Sequence, residues 1–188
     1  MPEKILFFDA GPVISLVMSR LAWILPELKK KFGGKFYITP AVQKELVERP
    51  LSVKRYEFEA LQVMKFIREG TLEVYTKVPQ KKVQELQNLA NNSFAIRGKS
   101  MDIIQSGEME SVASALALKA AVVMDERTLR LFIENSPELQ GILEYRFSQK
   151  IQADKIKIKQ FSSQLQEISI IRSTELVGVA YKLGLLDG

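Results

Sequence analysis

Five short apolar runs recur along this chain, and each is followed by a stretch of helical character: "KILFFD", "KFYIT", "TLEVYTKV", "AVVMD" and "ISIIRS". A run of four to eight apolar residues bounded by turn signals reads as a strand buried on both faces. Such strands alternating with helices pack as a parallel sheet, because every crossover lays a helix over one face or the other. The expected fold class is therefore α/β, a three-layer α/β/α sandwich around a central parallel sheet of about five strands.

The punctuation between these runs sets the expected element boundaries. Gly11 and Pro12 turn the first run into a helix in which Val13, Val17, Leu21, Ile24 and Leu28 recur at helical spacing, with Pro26 expected to kink or end it. After the Gly33-Gly34 break and the second run, Thr39 and Pro40 supply an N-cap and a first helical residue for "PAVQKELVE". Tyr56 to Glu69 reads as an amphipathic helix with Phe58, Leu61, Met64, Phe66 and Ile67 on its apolar face, stopped by Gly70. Gln80 to Ser100 is polar and Asn-rich, and reads as a helix fraying into a loop. Ser106 and Gly107 then open the Ala-rich helix "EMESVASALALKAA", "ERTLRLFIEN" follows the fourth strand, and "STELVGVAYKLGLL" closes the chain as a helix. At 188 residues and 46% hydrophobic content the chain suits one core, so a single domain over 1–188 is expected, with a helical, basic insertion at about 137–166.

Two missing residue types narrow the chemistry more than any that are present. With no histidine and no cysteine, imidazole and thiolate zinc sites, Ser-His-Asp triads, Cys-His pairs and disulfides are all excluded. A metal here must be held by oxygen, which restricts it to hard cations, chiefly magnesium, manganese or calcium. Asp9 interrupts the first apolar stretch, so a signal-peptide layout is not expected, and no run reaches the length of a membrane span. The expectation is a soluble, cytoplasmic protein without a membrane partner. An excess of 27 Lys and Arg over 22 acids, a net charge of +5, favours polyanionic partners weakly.

In an open parallel sheet, reactive groups gather outside the carboxyl ends of the strands. Asp9 ends the first strand, Glu45 lies about a turn and a half into the helix after the second, Glu108 opens the helix before the fourth, and Asp125 ends the fourth. Each has a plain structural reading: Asp9 and Asp125 as caps, Glu108 as a first-turn charge, Glu45 on a solvated face beside Lys44 and Glu48. Brought together, four carboxylates repel until a proton or a cation compensates them. A magnesium or manganese ion, or a pair of them, would do so and would suit phosphodiester hydrolysis. Glu110 competes with Glu108 for the helix-start role, whereas Asp102, Glu126 and Asp154 read as surface charges. A phosphotransferase with an aspartyl nucleophile would need a second Asp two residues after Asp9, where Gly11 stands.

The stretches "FFDAGPVISL", "ITPAVQKELVE", "SGEMESVASALALKAAVVMDERTLR" and "RSTELVGVAYKLGLL" resemble, in order, the successive motifs of the PIN domain, a family of metal-dependent ribonucleases. The resemblance runs from residue 4 to about 186, and its most specific part is the "GE" followed by an Ala-rich helix, a short strand and an acid. It implies a central parallel sheet between helices, Asp9, Glu45, Glu108 and Asp125 as catalytic and metal-ligating acids with Glu108 preferred over Glu110, and Mg2+ or Mn2+ as cofactor. RNA is the implied substrate, cut by a water nucleophile, with an antitoxin-like protein inhibitor and a homodimer as further partners to look for. The chain departs from the family at Ala10, Gly11 and Pro12, where many members carry Ser or Thr, and at Val123, where many carry Thr. It is also longer than toxin-type members, mainly through residues 137–166.

Two basic groups are candidates for substrate contact. Arg127 and Arg130 follow Asp125 on one helix and could meet phosphate. Lys150, Lys155, Lys157 and Lys159 lie near Phe147 and Phe161 and could track a nucleic-acid backbone, although a solvated helix or hairpin with its aromatics in the core is the preferred reading. A PIN-like scaffold that binds RNA or a protein without cutting is the alternative to the nuclease.

Overall fold

The computed structural model describes residues 4–186. Its main sheet contains β1 (Ile5–Phe8), β2 (Lys35–Ile38), β3 (Glu73–Val74), β6 (Ala121–Val123) and β8 (Ile170–Ile171), in the order β3-β2-β1-β6-β8. All four pairings are parallel, with Phe7 opposite both Tyr37 and Val122. A second sheet is antiparallel and small: β4 (Phe94–Ile96) lies between β5 (Lys99–Ser100) and β7 (Gln152–Ala153).

Helices form the outer layers. In chain order they are α1 (Ala10–Met18), α2 (Ile24–Phe32), α3 (Pro40–Gln43), α4 (Arg49–Leu51), α5 (Glu57–Arg68), α6 (Gln80–Asn91), α7 (Ser106–Leu118), α8 (Arg127–Glu134), α9 (Ser136–Phe147), α10 (Lys155–Gln164) and α11 (Ser173–Lys182). Because strand side chains alternate between faces, β1 and β6 each feed two separate cores. Leu6, Phe8 and Val123 join Val13, Leu16, Ile24, Val42, Phe66 and Leu176 on one side. Phe7, Val122 and Met124 join Leu86, Met109, Val112, Leu129 and Phe161 on the other. Phe7 and Phe8 are both fully buried, which is why "KILFFD" shows no polar alternation. Among the described residues no helix is long and apolar enough to cross a membrane.

The expected five parallel strands and three layers are present, and three local expectations are corrected. First, Pro26 does not end the first helix. The chain turns at Ser19 and Arg20, the latter at φ +60°, and Pro26 sits in the first turn of α2, where a missing N–H costs nothing. Second, α5 buries Ala60, Val63 and Phe66, while Phe58 (69% exposed), Leu61 and Met64 face outward. Third, the stretch after α6 is a hairpin: Ile96-Arg97-Gly98-Lys99 reverses the chain with Arg97 at φ +50° and Gly98 at φ +78°, the backbone of a type I′ turn.

Gly34 illustrates how tightly the sheet is joined. Lys35 N–H donates to the Lys4 carbonyl at 2.8 Å, and a Cβ on Gly34 would collide with that same carbonyl oxygen and with Phe32 Cε1. Gly33 at φ +65° has open space around it. Gly34→Ala is therefore expected to destabilise by about 3 kcal/mol, the upper range for overpacking, and Gly33→Ala by about 1 kcal/mol, the cost of a left-handed Cβ. Urea unfolding of both variants tests the ranking, and an equal loss would contradict it.

Candidate functional site

The last rung between β1 and β6 is the Asp9 N–H donating to the Val123 carbonyl at 2.9 Å, so Asp9 emerges at the carboxyl end of one strand beside the end of the other. Its backbone is extended, and its side-chain oxygen accepts from Gly11 N–H at 3.4 Å, which makes it the N-cap of α1. Gly11 stands between two acids: a Cβ there would lie 3.7 Å from Asp9 Oδ2 and 3.9 Å from Asp125 Cβ. Asp125, two residues past β6, accepts from Ser173 N–H at 2.8 Å and from Ser15 Oγ at 3.3 Å. It thereby ties α1 to the start of α11.

Glu45 and Glu108 approach from the neighbouring elements. Thr39 caps the helix after β2, accepting from Val42 N–H at 3.4 Å with Pro40 at the first helical position. Pro50 has no N–H to return to Leu46 and its ring crowds that carbonyl. The turn ahead of it widens: Lys44–Glu48 is π-helical, with Arg49 N–H reaching the Lys44 carbonyl. Glu45 is carried on this widened turn. Its Oε2 lies 3.8 Å from where a Gly107 Cβ would be, next to the start of α7. Glu108 folds back over that start, accepting from Gln105 N–H at 3.1 Å. Glu110 is engaged elsewhere, accepting from Ala41 N–H at 3.1 Å to cap the helix after β2.

Electrostatics confirm which acids sense one another. Burial pushes the Asp9 carboxyl up to about 6 against the hydrogen bonds from Ala10 and Gly11, and the charges of Glu45 and Glu126 add to the rise. Burial likewise pushes Glu108 up to about 7, opposed by the Gln105 N–H and aided by Asp9, Glu126 and Glu45. Glu126 thus belongs to the cluster, although it read from sequence as a surface charge. It is half-buried and caps α8 by accepting from Thr128 N–H at 2.7 Å. Its position directly after Asp125 at a strand end was the available signal. Ser15 was also unforeseen: it supplies a hydroxyl to the site from the first helix, beyond the Ala10-Gly11-Pro12 stretch that lacks one.

The oxygen-only donor set suits a hard cation, which would offset the repulsion that Glu45 and Glu126 add to the burial of Asp9 and Glu108. Among the described residues, however, no three acids stand in a ligating group. Asp9, Glu108, Asp125 and Glu126 each accept a backbone N–H. Arg127 pairs with Glu138 at 3.0 Å and Arg130 with Glu134 at 4.0 Å, both on the surface. Asp102 is exposed, and Asp154 caps α10 through Ile156 and Lys157 N–H.

Neither a family model nor a curated protein matches this chain. Among solved structures, a chain of the VapBC2 complex from Rickettsia felis, crystallised bound to a DNA fragment from its promoter, is similar in fold. The TM-score is 0.51 at 17% sequence identity, over 67% of this chain and 91% of that one. The likeness establishes a shared α/β fold.

The two raised carboxyls predict a pH dependence. The folded chain holds these protons more tightly than the unfolded chain, so their contribution to stability is complete below about pH 4 and is lost as pH rises through about 6 and then about 7. With divalent ions chelated, the melting temperature is expected to fall between about pH 5 and pH 8. Asp9→Asn, which keeps an oxygen for Gly11 N–H, should raise it at pH 8 by several degrees, roughly what 1–2 kcal/mol gives in a chain of this size. A thermal series in chelator checks both, and an Asn variant that melts below wild type at pH 8 contradicts the sign.

Proposed function

We propose that this chain is a PIN-type, metal-dependent endoribonuclease that hydrolyses RNA phosphodiester bonds at Asp9, Glu45, Glu108 and Asp125. The observation that supports the reading is that Asp9 and Asp125 leave β1 and β6 side by side, with the carboxyls of Asp9 and Glu108 both raised by burial and further by the charges of Glu45 and Glu126. An order of elements and motifs that resembles the PIN family, and a fold shared with a VapBC2 chain, support it.

Mg2+ or Mn2+ would be held by these carboxylates and, when bound, neutralises charge on the phosphodiester in transition. The chain's own groups do the rest. Gly11 and Gly107 place bare backbone beside Asp9 and Glu45, where any other residue would set a Cβ against the acids. Ser15 and the Ser173 N–H fix both oxygens of Asp125. One of the acids takes the proton of the attacking water. Arg127 and Arg130 exchange their surface pairs with Glu138 and Glu134 for substrate phosphate, since exposed pairs are worth about 0–1 kcal/mol. Beside RNA, an antitoxin-like inhibitor and a second copy of the chain are the partners this reading carries.

A second reading, a PIN-like module that binds RNA or protein without cutting, draws support from the same geometry: Asp9, Glu108 and Asp125 each serve a backbone N–H, and among the described residues no three acids form a ligating group. Manganese separates the two. Under the nuclease reading, calorimetry finds Mn2+ binding, wild type cleaves a single-stranded RNA panel, and Asp9→Asn, Glu45→Gln, Glu108→Gln and Asp125→Asn each lose cleavage by about 100-fold or more. Absence of Mn2+ binding, or variants that cleave as well as wild type, would refute it.

Ser15 supplies a finer test, because a hydroxyl that orients a ligand is felt in metal affinity. Ser15→Ala is expected to weaken Mn2+ binding and cleavage by about 10- to 100-fold while leaving the melting temperature in chelator within a few degrees of wild type. Titrating manganese against the folded variant reads the effect directly.

A further inference from the structure

We infer that the small antiparallel sheet and the end of α9 form a binding surface for single-stranded RNA that leads the substrate into the acid cluster; this rests on the nuclease reading above. Charge is the first observation. Residues 94–100 and 145–159 together hold seven Lys and Arg against one Asp, a net +6, more than the +5 of the entire chain. The remainder of the molecule is therefore close to neutral, and the excess of positive charge falls in these two segments.

Topology brings those two segments together. β4 pairs with β5 on one side and β7 on the other, with Ala95 opposite both Ser100 and Gln152. Continued along the antiparallel register, the hairpin tip at Arg97 comes beside Lys150. Among the described residues, Arg97, Lys99, Lys150, Lys155 and Lys159 are exposed and make no ion pair, whereas Lys157 is held by Asp154 at 3.4 Å. Glu144, the nearest acid on α9, is taken up by Ile151 N–H at 3.1 Å.

Two further features point to a ligand with both phosphates and bases. Tyr145 is 89% exposed and Ile156 72%, with Phe147 between them in sequence and also exposed. Arg146 lies over the Phe147 ring at 5.9 Å from its centroid, so aromatic faces and cations are presented together, as stacking on unpaired bases requires. At the hairpin tip, Arg97 occupies a left-handed position that Asn, Asp or Gly fills at lower cost. A costly conformation kept for a long cation motivates a role for that cation.

The surface connects to the acids. A cleft of about 530 Å³ runs from Arg146 past Asn91 and Asp102 to Gln105 and Ser106. Gln105 donates its N–H to Glu108, so the inner end of the cleft is the cap of a proposed catalytic acid.

The test is fluorescence anisotropy of a labelled oligouridine RNA of roughly a dozen nucleotides, with the full chain in chelator so that nothing is cut. Arg97→Asn/Lys99→Gln/Lys150→Gln is expected to weaken binding by tenfold or more and to lower the slope of log K on log salt by about 2, near 0.7 per lost charge. Tyr145→Ala/Phe147→Ala should weaken it about tenfold with the slope unchanged. Lys30→Gln/Lys31→Gln, on the exposed face of α2, should leave it unaltered. Arg97→Asn alone should raise the melting temperature while lowering RNA affinity, which separates a binding role from a structural one. Overturning results are a wild type that does not bind the RNA, a triple variant that binds as well as wild type, or an equal loss in the α2 control. With manganese added, wild type that binds but never cleaves removes the nuclease reading and leaves this surface standing. Cleavage with an unchanged KM in the triple variant removes the surface and leaves the nuclease.

Discussion

Asp9 donates its backbone N–H to the Val123 carbonyl at 2.9 Å, and the arrangement of the acid-bearing end hangs on that rung. It closes the pairing of β1 with β6 and so sets where two chain segments leave the sheet side by side. A one-residue slip would turn Phe7 and Phe8 to the wrong cores, since each is fully buried in a different apolar cluster. Register is thus enforced by hydrophobic burial on both faces, and the position of the acids is a by-product of that enforcement. The acids are thereby fixed by the most strongly determined part of the sheet.

Each acid at that end serves the fold and opposes it at once. Asp9, Glu108 and Glu126 accept backbone N–H groups at helix starts, and Asp125 joins α1 to α11. Caps of this kind stabilise by about 1 kcal/mol, but burial and mutual repulsion push two of the carboxyls well above their ordinary range. A neutral side chain would cap almost as well without the repulsion. Acids kept where amides would suffice are a cost to the fold of the kind a functional role would explain, and they agree with the proposed site.

The main sheet was legible because its strands are buried on both faces and therefore read as unbroken apolar runs. The same rule hid β4 and β5, which are only three and two residues long, lie in a small sheet and turn at Arg97-Gly98 without the usual Asn. Periodicity also misjudged α5: Phe58, Leu61 and Met64 recur at helical spacing, but the sheet side takes the smaller Ala60 and Val63 together with Phe66. Spacing identifies a stripe and says nothing of which stripe meets the sheet. At the site, strand-end position singled out Asp9 and Asp125 well enough. Glu126 was passed over because a second acid beside the first looks redundant, and Ser15 because its contact with Asp125 spans 110 residues of chain.

Residues 137–166 look from sequence like an appendage, and the packing argues that they are part of the frame. Phe161 is fully buried and stacks on Phe132 with centroids 4.5 Å apart, and Phe132 meets Phe94 at 5.5 Å. Leu139, Leu143, Ile151 and Ile158 complete the same core. Each buried side chain of this size contributes about 1.5–3 kcal/mol on burial, so losing Leu139, Leu143, Ile151, Ile158 and Phe161 would forfeit about 8–15 kcal/mol, as much as the 5–15 kcal/mol that typically separates folded from unfolded. The basic residues of this segment are consequently held on a rigid support, with β7 pinned to β4 and Asp154 N–H bonded to the Ser93 carbonyl at 2.8 Å. A charged surface fixed in this way loses little conformational entropy when it meets a polyanion, and that distinguishes it from a basic tail of the same composition.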